Sequence, residues 1–63
     1  MEPHKERVLT EKAELDEKLE KLRAFFSNPL FEGLPDAEKE RLQRQQKIMT
    51  DYSDVLGERI TEF

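Results

Sequence analysis

A chain of 63 residues, 41% of them charged and 35% hydrophobic, is at most one small domain, below the size at which a single core is usually stable without help. The sequence has no cysteine and one histidine, His4, which excludes stabilisation by disulfides or by a Cys/His metal site. A net charge of −4 argues against a general nucleic-acid binder, because such proteins gain affinity by neutralising phosphates.

No apolar run approaches the roughly 20 residues that span a bilayer. The charged N-terminal segment of residues 1–8 also lacks the hydrophobic core of a signal peptide. We therefore expect a cytoplasmic protein with no membrane partner. The balance of charged and apolar residues is typical of a helical bundle rather than of a disordered chain.

The first predicted helix runs from about residue 5 to residue 27. Its apolar residues recur at helical spacing and form one stripe, which Lys12 interrupts. The stripe consists of Val8, Leu15, Leu19, Leu22 and Phe26. The helix should end before Pro29, because the residue that precedes a proline is pushed out of the helical region.

The predicted connector, residues 28–34, is unusually apolar for a loop. We expect Leu30, Phe31 and Leu34 to fold back over the end of the two helices, and Gly33 to supply a positive φ. Pro35 then suits the first turn of a second helix.

The second predicted helix covers residues 35–62 and carries a seam at alternating spacings of three and four residues. The seam positions are Leu42, Gln45, Met49, Tyr52, Leu56, Arg59 and Phe63.

Two helices with a short connector predict an all-α antiparallel hairpin. Because each stripe is wider than one partner helix covers, we expect two hairpins to form a four-helix bundle or a higher helical homo-oligomer. Its interface candidates are Leu42, Gln45, Met49, Leu56, Ile60 and Phe63.

Enzyme signatures are missing from the sequence. There is no glycine-rich phosphate loop, no nucleophile elbow and no pair of histidines at metal spacing. We therefore expect no enzymatic activity, no catalytic residue, no cofactor and no metal.

Four residues of the second helix are candidates for binding a ligand or a partner. Arg44 and Lys47 share a face within a locally basic segment, where they could grip a phosphate; in the structural alternative Arg44 pairs with Glu40. Tyr52 and Arg59 lie two turns apart, where they could stack on a base and bind a phosphate. Alternatively, they lie at the edge of the core, and Arg59 pairs with a carboxylate of a neighbouring helix.

Four segments together resemble a family of short helical accessory proteins of tailed bacteriophages and prophages, including a crAss-like phage protein. The segments are residues 11–18, residues 22–26 with residues 29–31, residues 34–42 and residues 49–60. The most specific part is the run Tyr-Ser-x-Val-Leu-x-x-Arg-Ile from Tyr52 to Ile60. The resemblance implies a helical, non-enzymatic phage protein, and it supplies no established binding residues.

Three functions are consistent with these features. The first is a phage-encoded binding protein that inhibits or redirects a component of the infected bacterial host, as a counter-defence protein does. The second is a sponge that sequesters a cyclic-nucleotide or related immune signal at a subunit interface. The third is a purely structural module whose activity is oligomerisation.

Overall fold

Three helices in the order α1, α2 and α3 make up the fold, seen in a computed structural model that describes residues 2–63. Helix α1 spans Pro3–Phe26, α2 spans Pro29–Glu32 and α3 spans Asp36–Thr61. Helix accounts for 87% of residues 2–63, which contain no strand. The all-helical class and the packing of two long helices against each other are therefore confirmed.

The prolines and a side-chain cap explain where the helices begin. Pro3 occupies the first turn of α1, where its missing N–H group costs nothing. Helix α1 thus starts two residues before the predicted position. The side chain of Asn28 accepts a hydrogen bond from the Leu30 N–H at 2.9 Å, which caps α2. Asp36 and Glu38 lie in the first turn of α3, where the helix dipole favours negative charge.

Helices α1 and α3 run antiparallel along a molecule that measures 46 × 15 × 13 Å. Three cross-helix contacts set this direction: Lys5 lies over the ring of Phe63, Lys12 bonds to Ser53 and Arg23 bonds to Thr50. The buried apolar core is small and consists of Val8, Leu19, Phe31 and Leu56.

Helix α2 covers one end of the hairpin through Phe31, which packs edge-to-face on Phe26 and Phe25 with ring centroids 5.1 and 6.0 Å apart. The expectation for Leu30 is wrong, because its side chain is 71% exposed. The expectation for Gly33 is also wrong: its φ is −82°, because α2 ends in a right-handed turn.

The face that α3 turns toward α1 differs from the seam read from the sequence. The residues of α3 that the hairpin buries wholly or partly include Leu42, Gln46, Met49, Ser53, Leu56 and Ile60. Gln45, Tyr52 and Arg59 are instead exposed. No helix within residues 2–63 is both long enough and apolar enough to cross a membrane.

Candidate functional site

The four binding candidates Arg44, Lys47, Tyr52 and Arg59 all lie on exposed positions of α3. Tyr52 and Arg59 are separated by about 20° around the helix, because seven residues nearly complete two turns. Arg44 lies about 80° and Lys47 about 140° from Tyr52. The helix therefore aligns Tyr52 and Arg59 along its axis. Arg44 lies to the side of this line, and Lys47 lies farther around the helix from it.

The cations among these candidates have no anionic partner in the hairpin. The ion pairs within residues 2–63 do not include Arg44, Lys47 or Arg59. The Glu40–Arg44 pair does not form; Arg41 pairs instead with Glu38 at 2.8 Å. These exposed guanidinium and ammonium groups therefore keep their donors available for an external anion.

The side chains of this surface are suited to binding anions and to stacking on aromatic rings. Guanidinium groups match phosphate and carboxylate oxygens with paired donors, and an exposed tyrosine ring offers a stacking face. Tyr52 is 43% exposed, so part of its ring is accessible from solvent. The side chains cannot all reach one small molecule from a single chain, since Arg44 and Arg59 are about 22 Å apart along the helix axis.

The residues predicted for a subunit interface divide into two groups. Leu56 is fully buried, and Leu42, Met49 and Ile60 are half-buried on the face toward α1. Gln45 and Phe63 are exposed. Within one hairpin, the second group is therefore the more accessible to another molecule.

A polar cluster that the sequence analysis missed links the two long helices. Lys12 Nζ donates to Asp16 Oδ2 at 2.8 Å and to Ser53 Oγ at 3.1 Å, and the Ser53 hydroxyl donates to Asp16 Oδ1. The hydrogen bonds from Lys12 first, and from Ser53 second, lower the pKa of Asp16 from its usual value of 3.8. The break in the α1 stripe at Lys12 was the available signal, but its partner on α3 depends on how the helices pack.

Two grooves on the described surface are lined by other residues. One lies along the outer side of α1, from Pro3 to Glu14. The second lies beside the polar cluster, where Lys12, Ser53 and Gly57 adjoin the acidic residues Asp54 and Glu58. Neither groove contains Arg44, Lys47, Tyr52 or Arg59. Among residues 2–63, no group of three acidic or histidine side chains could hold a metal ion.

Comparison with known proteins identifies one family. A family model described as Sequestin matches residues 2–62. No curated protein and no solved structure matches the chain significantly. The name of the family suggests a sequestering function, and it does not bear on phage origin, which stays a prediction.

Proposed function

Because the chain belongs to the Sequestin family, we propose that it acts by sequestration: it binds a target in stoichiometric amount and holds it without changing it chemically. The family description supports a binding role. The absence of enzyme motifs in the sequence supports the non-enzymatic part of the proposal.

The target that the exposed surface of α3 fits best is a small phosphorylated nucleotide. The observation that carries this proposal is that Arg44, Lys47 and Arg59 have no carboxylate partner among residues 2–63 and share a helix with the half-exposed Tyr52. Charged donors would bind the phosphates, and the tyrosine ring would stack on a base.

A complete site requires more than one copy of the chain. The candidates extend over about 22 Å of one straight helix, whereas the groups that bind a small ligand must converge on it. A homo-oligomer places residues from different copies side by side, which supports a site shared between subunits.

The setting of this activity follows from the resemblance to phage and prophage accessory proteins. We assign the protein to the cytoplasm of an infected bacterial host, where holding an immune signal would make it a counter-defence protein. A host protein is the alternative target, and the exposed apolar side chains of Leu30, Ile48 and Val55 favour it as a docking surface.

Isothermal titration calorimetry tests the nucleotide target directly. The wild-type chain is titrated with cyclic dinucleotides, cyclic trinucleotides and cyclic ADP-ribose isomers, and the ligand is recovered after denaturation. We expect one class to bind and to be recovered intact.

Tyr52→Ala and Arg44→Gln should each weaken binding roughly tenfold or more, because a stacked base or a charge-assisted hydrogen bond contributes about 1–3 kcal/mol. Lys18→Gln, which removes an exposed charge from α1, is the matched control.

Other outcomes would separate the alternatives. Absence of heat with every ligand at tens of micromolar excludes the nucleotide target, and recovery of an altered ligand excludes sequestration. A tagged chain that then retains one host protein in stoichiometric amount would identify a protein target. A folded oligomer that binds neither class would be a structural module.

A further inference from the structure

Helix α3 carries a second stripe on the side that the hairpin leaves uncovered. Ile48, Tyr52 and Val55 are 61%, 43% and 50% exposed, and their spacings of four and three residues place them on one line. Gln45 and Arg59 extend the same spacing at either end. We call these five residues the outer stripe; its centre lies roughly 100° around α3 from the face that packs on α1.

The hairpin exposes more surface than a compact monomer of its mass. Its accessible surface is 4889 Å², whereas a 7.5 kDa monomer ordinarily exposes about 4,250 Å². The excess of roughly 600 Å² approaches the ~800 Å² that each partner of a standard interface buries. The elongated hairpin therefore exposes an excess of surface comparable to the area that one partner buries in a standard interface.

The charges beside the outer stripe are arranged symmetrically, which favours a second copy of this chain as the occupant. Arg44 and Glu58 lie seven residues before and after Asp51, and all three share one flank of the stripe. Ile48 and Tyr52 lie two residues before and after Thr50. A two-fold axis near residues 50 and 51 would therefore bring opposite charges together twice, as a self-complementary interface requires.

We propose that two hairpins associate through their outer stripes, with the α3 helices antiparallel and crossing near Thr50 and Asp51. Ile48 then packs on the partner's Tyr52, Val55 on the partner's Gln45, and Arg44 lies beside the partner's Glu58. The antiparallel pair also brings Arg44 toward the partner's Arg59 and Tyr52, so the inference rests on the part of the proposed function that requires more than one copy.

Sedimentation of the ligand-free protein tests the interface. We expect wild-type dimers at micromolar concentration, and roughly tenfold weaker association for Arg44→Glu or Glu58→Arg, because two symmetric attractions become repulsions. The double variant Arg44→Glu/Glu58→Arg should restore the dimer. Asp51→Asn should tighten it, since Asp51 faces its own copy at the axis. Lys18→Glu, at an exposed position of α1 away from the outer stripe, is the control that should leave it unchanged.

Disulfide capture tests whether the two α3 helices of the dimer are antiparallel. Because residues 2–63 contain no native cysteine, only the introduced cysteines can form a crosslink. A mixture of Gln45→Cys and Val55→Cys chains, one carrying a tag, should oxidise to mixed dimers. Neither variant alone should crosslink, because its two copies lie about 15 Å apart along the axis and a disulfide needs Cα atoms within about 7 Å. Both sites are exposed, so the substitutions spare the hairpin core.

The proposal is overturned by a folded wild-type monomer at 100 µM, by homodimeric disulfides from either single variant, or by charge-reversal variants that do not compensate each other. These results are independent of the nucleotide titration. A monomer that binds nucleotide overturns the interface and the shared site but leaves the nucleotide target standing, and a dimer that binds none overturns the ligand alone.

Discussion

Lys12 shows most clearly how a charged side chain is accommodated between the two long helices of this protein. A lysine on an apolar stripe would ordinarily be costly to cover. Here its ammonium group reaches Asp16 and Ser53, while its methylene stem passes the bare backbone of Gly57, where an added Cβ would lie 3.4 Å from Lys12 Cε. The three side chains satisfy one another, and they align α1 with α3 at one register.

Asp16→Asn should make the stability of the hairpin less dependent on pH in acid. The hydrogen bonds from Lys12 and Ser53 lower the folded-state pKa of Asp16 below 3.8, so its stabilising contribution is present above that value and is lost as the pH falls through the lowered pKa. Urea unfolding at pH 7 and near pH 3 should show wild type more stable than the variant at pH 7, with a smaller difference in acid.

Asp54→Asn is the control for this experiment, because Asp54 is exposed on α3 and outside the cluster. An Asp16→Asn deficit of equal size at both pH values would contradict the assignment.

At the scale of the elements, the division of the chain into helices could be predicted, whereas the rotation of α3 could not. Pro29 and Pro35 mark the connector through local backbone restrictions, so its position follows from nearby residues alone. On α3, however, the spacing of three and four residues is satisfied both by Leu42, Met49 and Leu56 and by the outer stripe. The set that faces α1 buries Leu56 and lies beside Ser53, which bonds to Asp16; these contacts join residues far apart in sequence.

For the same reason, the candidate site could be predicted only in part. Arg44 and Lys47 were identified from local charge density, and both are exposed. Whether Tyr52 belongs to the core or the surface depends on the rotation of α3, and in the structure the residue lies on the surface, 43% exposed.

Gly57→Ala should stabilise α3. Glycine within a helix costs about 1 kcal/mol relative to alanine, and the new Cβ would meet only the flexible side chain of Lys12, at 3.4 Å. We expect the free energy of unfolding to rise by roughly 0.5–1 kcal/mol, measured by urea denaturation. Gly57→Leu is the contrasting variant, since its longer side chain should displace Lys12 and lower stability. A destabilised alanine variant would indicate that the space beside Lys12 is already filled.

At the scale of the whole molecule, the four buried apolar side chains of the hairpin form a core too small to account for a robust fold in isolation. If the outer stripe supplies the remainder, association and folding are coupled. Thermal unfolding should then depend on concentration, as it does for proteins whose partner binds only the folded state.

Raising the wild-type concentration a hundredfold should raise Tm by on the order of 10 °C, followed by circular dichroism at 222 nm. Val55→Asp, which places a charge in the outer stripe, should melt at a lower temperature that does not change with concentration. A wild-type Tm that is constant from 5 to 500 µM, roughly the hundredfold range of the test, would show that folding does not depend on association and would contradict the coupling.

The pairing of His4 with Phe63, whose rings lie 6.5 Å apart edge-to-face, closes the end of the hairpin opposite to α2. Most helices fray independently at a free terminus. Here unwinding of the first turn of α1 would separate His4 and Lys5 from the ring of Phe63, whose centroid lies 5.5 Å from the Lys5 ammonium group. The two termini therefore open together, so hydrogen exchange at residues 4–8 and 59–63 should report a single opening event.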